Sequence, residues 1–303
     1  ECDNKIQDVG GLNPNVVETA CLAHDIGHPP FGHPAEEAIQ NSLNDTDKST
    51  IGSFEGNPQS FRIVNSVAIH NHPYGEEYKG LDLTLASLNA ILKYPWSRDV
   101  TGKKSNKWGY YSTEESEFQK TQNLRTPGDS NDRLSVEAKI MDWADDLTYA
   151  IHDLADFYRA GLIPFDELIR GGDEQEEFIK QFECECEPPK SWDATGFLKD
   201  DLPNLTEMTV SPLKSTFDGS SADEAAMGFV TSELVERYLG IRKGVDVKLD
   251  PSKRGGLTIS EELKAEINLL QYLCDYYVFS ESALLSQQHG HWQPIEELFK
   301  LLY

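Results

Sequence analysis

Residues 134–161, LSVEAKIMDWADDLTYAIHDLADFYRAG, carry the longest helical pattern in the chain. Apolar residues recur there at three- and four-residue spacing, and Gly161 and Pro164 close the run. A helix of that length, roughly 40 Å, must bury a long apolar stripe, and other helices are its natural partners. Further helices are expected over 13–24, 34–44, 57–71, 83–93, 165–182, 223–241 and 259–279. Asn13 is placed as an N-cap with Pro14 in the first turn. The polar stretch 97–134 reads as a long loop or insertion, and 184–222 as loop-rich. There is no internal repeat and no convincing run of alternating strands. The expected class is all-α, a helical bundle with loop-rich insertions.

Composition narrows the function. The chain has 303 residues and a net charge of −25. Such a field repels nucleic acid and anionic membranes at long range. An anionic substrate would need locally gathered cations, which gives weight to lysines near any candidate site. Mean hydropathy is −0.52, no segment approaches the ~20 apolar residues of a membrane span, and the first residues lack an apolar leader core. Five cysteines form no secreted-type framework, which points to a reducing, cytoplasmic setting. Cys184 and Cys186 lack the further ligands that would close a zinc site.

The chemistry concentrates at 21–36, CLAHDIGHPPFGHPAE, which holds three of the eight histidines. Imidazole and carboxylate are good ligands for divalent ions. Adjacent helical residues point about 100° apart, so His24 and Asp25 can share one ion where their helix ends, and Gly27 breaks it there. The plainer alternative is a helix-capping histidine beside a solvated aspartate. On the long helix, Asp145, Tyr149 and Asp153 fall at i, i+4 and i+8 on one face. Burying them without partners would be costly; the alternative is an exposed acidic face. His33 and Glu36, three residues apart, suit general acid–base work, or else a helix start with a first-turn acid. Among the other histidines, His70 and His72 precede a Pro-Tyr-Gly turn and read as loop residues. His152 reads as packing, and His289 and His291 as structural residues in a loop before a helix.

Read together, these segments resemble the HD-domain deoxynucleoside triphosphate triphosphohydrolases, the bacterial dGTPase-like family. The carriers are AHDIGHPPFGHPAEEAI at 23–39, FEGNPQSFRIV at 54–64, GLDLTLASLNAILKYPW at 80–96, KWGYY at 107–111 and the long helix at 134–163. They stand in the family's order over nearly the whole chain. The resemblance implies an HD-domain helical bundle, with a catalytic core over 1–165 and a helical region over 166–303 packed on it. It implies His24, Asp25 and Asp145 as ligands of a divalent metal, Mn or Mg foremost, with Fe, Ni or Zn compatible. It implies His33 and Glu36 as the catalytic pair, and Tyr149 and Asp153 as the residues that meet the deoxyribose. Asn57, Lys93, Tyr94 and Lys107 match residues near the triphosphate and sugar, and His28 is expected to line the site.

The family's first metal-ligand histidine lies upstream of the HD pair, and no histidine precedes His24 here. That ligand, and a segment beyond Tyr303 that helps close the pocket, are expected from a longer protein. The implied reaction releases a deoxynucleoside and intact tripolyphosphate from a dNTP. The implied assembly is a homo-oligomer, with a nucleotide or single-stranded DNA as effector and no membrane. Another HD phosphohydrolase, acting on a phosphomonoester or phosphodiester, and a non-catalytic nucleotide sensor are the alternatives.

Overall fold

The structure, a computed structural model, describes residues 11–45, 53–71, 77–99, 106–123, 134–204, 213, 216–240, 247–250, 256–280 and 282–302. Cys2 and His72 lie outside the described residues. The molecule is helical, as expected. Its elements run α1 (Pro14–Ala23), α2 (His33–Asp45), α3 (Gly56–Arg62), α4 (Leu85–Ala90), α5 (Glu115–Gln122), α6 (Val136–Arg159), α7 (Phe165–Arg170), α8 (Asp173–Cys186), α9 (Ser221–Tyr238), α10 (Glu261–Cys274) and α11 (Ser282–Leu302). Short strands β1 (Ile69–Asn71) and β2 (Glu77–Lys79) pair antiparallel, and β3 (Val247–Leu249) pairs with β4 (Leu257–Ile259). Among the described residues no helix is long and apolar enough to cross a membrane.

Several sequence expectations are revised. The helix expected over 57–71 stops at Arg62, widens into a π turn over Ile63–Val67 and gives way to β1. β-branched Ile63, Val64 and Val67 favour that exit. The stretch 97–134 contains α5, whose first-turn Glu115 and Glu117 and last-turn Lys120 suit the helix dipole. The run 165–182 is two helices, because Gly171 and Gly172 take positive φ between them. His291 and His289 lie inside α11, which continues through Pro294, and His152 is exposed.

The chain forms two compact units, one of residues 1–144, 249–257 and 286–303, the other of residues 145–248 and 258–285. The first unit's core gathers Val16, Ala20 and Ala23 of α1, Phe61 of α3, Leu88 of α4, Phe118 of α5 and Met141 of α6. Full burial of a side chain such as Phe61 stabilises by about 1.5–3 kcal/mol. In the second unit Phe178, Phe182, Phe197 and Leu270 are fully buried. Arg237 also donates from Nε to Glu266 Oε2 at 2.7 Å, with a second contact from Nη2 to Oε1. Glu266 is buried, so this bidentate pair compensates a charge that would be costly alone.

The loop between α1 and α2 lies backbone-to-backbone on α3. Gly27 donates its N–H to Ser60 Oγ at 2.9 Å, and a methyl built on Gly27 would collide with the backbone of Gly56, Gln59 and Ser60. Gly27→Ala is therefore expected to cost about 1–3 kcal/mol through overpacking and to lower the thermal midpoint by several degrees. Gly228→Ala is the control, since nothing lies within 4 Å of the added methyl. It sits inside α9 and should be neutral or stabilising. Equal midpoints in calorimetry would refute the close approach at Gly27.

Candidate functional site

His24 is the C-cap of α1, with its N–H on Ala20 O. Its ring Nδ1 lies 2.9 Å from Cys21 O. A carbonyl only accepts, so Nδ1 carries the proton, and in the neutral ring Nε2 presents a lone pair. Nε2 stands 3.1 Å from Asp25 Oδ2. A lone pair and a carboxylate oxygen at that separation need a proton or a cation to reconcile them. The third group comes from α6. That helix runs unbroken past Ala144, and its next residue, Asp145, offers a carboxylate oxygen. Ligand atoms of His24, Asp25 and Asp145 all lie within 4.8 Å of one another. One imidazole and two carboxylates form a donor set suited to Mn, Mg, Fe or Zn. The residues fit a divalent ion, and the Nδ1–carbonyl bond is the kind of outer support that orients a metal-bound histidine.

His28 continues from this group. Its Nδ1 is 3.2 Å from Asp25 Oδ1 and 3.3 Å from the Asp25 carbonyl, and its Nε2 is 3.8 Å from Glu36 Oε1. Phe31 and Gly32, both at positive φ, turn the intervening chain into α2. Glu36 is buried and accepts the Gly56 N–H at 2.7 Å. A side chain on Gly56 would strike the His28 ring and Glu36 Oε1, so the residue type at 56 is dictated by this contact.

Among the described residues no hydrogen bond joins His33 to Glu36, the two residues read as the catalytic pair. Among the described residues, Glu36 is engaged by Gly56, His28 and, at 3.9 Å, Lys107. The buried Gly56 N–H draws the carboxylate inward. His33 opens α2 in an exposed position, its ring 6.4 Å from that of His28.

The two lysines arrive on neighbouring segments. Gly109 N donates to Trp96 O at 3.0 Å, Trp96 Nε1 donates to Lys107 O at 2.8 Å, and Ser97 bridges Tyr110. Lys93 Nζ lies 3.2 Å from Asp142 Oδ1 on α6, and Lys107 Nζ lies 2.7 Å from Glu55 Oε1. Tyr94 feels both ammonium groups. Burial raises its phenol pKa, and Lys93 and Lys107 hold that rise back. Burial works against the charge on Lys107, but Glu55 outweighs it and leaves the lysine above its ordinary pKa. Asn57 is fixed by the same carboxylate, through Nδ2 to Glu55 Oε1 at 2.8 Å and through its N–H to Oε2 at 2.9 Å.

Tyr149 and Asp153 follow Asp145 by one and two turns of α6. Tyr149 is exposed, with its phenol raised by partial burial and then by the Asp153 charge. Asp153 is half-buried and raised, first by burial and then by Asp156. Glu55 was not foreseen from the sequence. Its signal was an acid at a helix N-cap, where Asp, Asn, Ser or Thr are the usual choices.

Residues 4–150 match the HD domain family. Proteins named deoxyguanosinetriphosphate triphosphohydrolase-like are similar along most of the chain. One from Corynebacterium efficiens is 31% identical over 303 residues, covering 96% of this chain and 67% of the relative. One from Corynebacterium glutamicum is 31% identical over 309 residues, covering 96% and 66%. One from Streptomyces coelicolor is 35% identical over 244 residues, covering 78% and 54%. The chain belongs to the HD-domain, deoxyguanosinetriphosphate triphosphohydrolase-like family. It spans about two thirds of the length of the two Corynebacterium relatives. The HD-domain match includes His24, Asp25 and Asp145, together with His28, Glu36, Lys93 and Lys107.

Proposed function

We propose that the protein is a metal-dependent hydrolase of deoxynucleoside triphosphates, releasing the deoxynucleoside and intact tripolyphosphate. The observation that supports this reading most is the convergence of His24, Asp25 and Asp145 ligand atoms within 4.8 Å. A bound divalent ion would supply Lewis-acid polarisation of the α-phosphate and orient a water. Phosphoryl transfer is otherwise a matter of positioning and charge. Water adds its oxygen to the α-phosphorus, the bond from phosphorus to the 5′-oxygen breaks, and that oxygen takes up a proton.

Lys93 and Lys107 would hold phosphate oxygens, Lys93 in exchange for the Asp142 carboxylate that it faces now. His33, exposed at the start of α2, would give or take the proton. Glu36 would hold His28 and the α3 backbone in register beside it. Tyr149 and Asp153 are assigned to the sugar on the resemblance, Asp153 accepting from the 3′-hydroxyl and Tyr149 excluding a 2′-hydroxyl. Mn or Mg as the metal, a homo-oligomeric assembly and a nucleotide or single-stranded DNA effector belong to the same proposal, with each dNTP a candidate substrate.

The test is incubation of the full-length protein with each dNTP and Mn or Mg, with products separated by ion exchange. Tripolyphosphate and deoxynucleoside in equal amounts are expected. Orthophosphate or pyrophosphate would assign the chain to another HD phosphohydrolase chemistry. Metal and nucleotide binding without turnover would make it a sensor.

A further inference from the structure

Glu55 stands between the two groups to which substrate contacts are assigned, and nothing in the reaction itself uses it. Its residue is buried, 4% exposed, at the N-cap of α3. Every polar valence of the carboxylate that the structure describes goes to Lys107 or Asn57. Oε1 accepts from Lys107 Nζ at 2.7 Å and from Asn57 Nδ2 at 2.8 Å, and Oε2 accepts from the Asn57 N–H at 2.9 Å. The backbone is held as well: the Tyr111 hydroxyl donates to Glu55 O at 3.3 Å and lies 3.4 Å from its N. The Arg62 guanidinium in turn sits 4.0 Å from the centre of the Tyr111 ring and bonds Glu114 at 3.1 Å. His28, Glu36 and Glu55 also offer oxygens and a nitrogen close enough together to hold an ion. Lys107 already supplies the positive charge there, 2.7 Å from Glu55 and 3.9 Å from Glu36. A second metal is therefore not required to explain this cluster.

We propose that Glu55 is a positioning residue that holds the Lys107 ammonium and the Asn57 carboxamide in fixed relation, so that both meet the phosphate chain without being ordered by it. The proposal rests on the proposed function for what Lys107 and Asn57 touch. Its physical content is entropic. A lysine carries a flexible four-carbon stem, and ordering it costs free energy. A buried carboxylate that has already ordered it leaves less of that cost to the binding step. The charge of Glu55 works the other way, since a carboxylate repels a polyanion. The inference is that positioning outweighs repulsion.

The experiment compares wild type, Glu55→Gln, Lys107→Ala and the double variant in the full-length protein. Four quantities are read: kcat and KM for the preferred dNTP, affinity for inorganic tripolyphosphate by calorimetry, bound manganese, and the thermal midpoint. Glu55→Gln is expected to raise KM and the tripolyphosphate Kd together, by about tenfold for a lost charge-assisted contact, with manganese retained. The loss in the double variant should fall short of the sum of the two single losses, because Glu55 acts in part through that lysine and in part through Asn57. Tighter tripolyphosphate binding in Glu55→Gln would overturn the proposal and make Glu55 a repulsive group. Additive losses, or a lowered midpoint with unchanged KM and Kd, would overturn it in favour of a purely structural role. Wild type that neither hydrolyses a dNTP nor binds tripolyphosphate would overturn both readings. Wild type that hydrolyses dNTPs while Glu55→Gln matches it would overturn only this one.

Discussion

Asp145→Ala is expected to strip the divalent ion from the protein and to lower dNTP turnover by on the order of 10²–10⁴. The magnitude follows from the several kcal/mol that a bound ion contributes to phosphoryl chemistry, at about 1.4 kcal/mol per tenfold. Without Asp145, His24 and Asp25 offer only two donors, and Asp25 is largely exposed, with 58% of its side chain open to solvent. Asp146→Ala is the internal comparison. The Asp146 carbonyl accepts from Gln271, and its side chain lies off the Asp145–Tyr149–Asp153 stripe, so its loss should be within about tenfold with metal retained. Metal content by mass spectrometry decides the matter. Equal metal loss in both variants would mean that the stripe had been assigned one residue out of place.

His33→Ala should leave metal content and KM near wild type while reducing kcat by about 10²–10⁴, the range for a general acid or base. His33 and not His28 is named because of what each ring already does. His28 has one nitrogen turned to Asp25 and the other toward Glu36. His33 makes no hydrogen bond or ion pair with any described residue, so its nitrogens can serve a substrate oxygen. Glu36→Gln should cost less than His33→Ala, because its remaining oxygen can still accept from Gly56. A His33→Ala protein with full turnover would hand the proton transfer to His28. One that loses its metal would make His33 a ligand.

The sequence made the helical class, the HD turn and the acidic stripe of α6 legible, because each depends on local rules. A helix ended by Gly27 and Pro29, an apolar repeat stopped by Gly161, and carboxylates at i and i+8 can be read without tertiary knowledge. The pairing of Glu36 could not. Spacing offers His33, three residues away, as its partner, but the buried Gly56 N–H, twenty residues on, competes for the carboxylate and wins. The Glu55–Lys107 contact joins residues that sequence spacing does not relate. Helix α5 was hidden by its polar composition, since only Phe118 and Thr121 of its residues are buried. Its capping charges were visible but carried less weight than the missing apolar stripe.

The close approach of Gly27 and Gly56 has a consequence for timing. The turn that bears His24, Asp25 and His28 and the helix that begins at Glu55 and Asn57 share backbone contact, so they keep their spacing before any ligand arrives. The loss of freedom that two reactive groups would otherwise suffer on meeting is then met when the chain folds. Metal and nucleotide should consequently load in either order. Pre-steady-state mixing that adds the ion first, or the nucleotide first, should give the same first-turnover rate once both are bound.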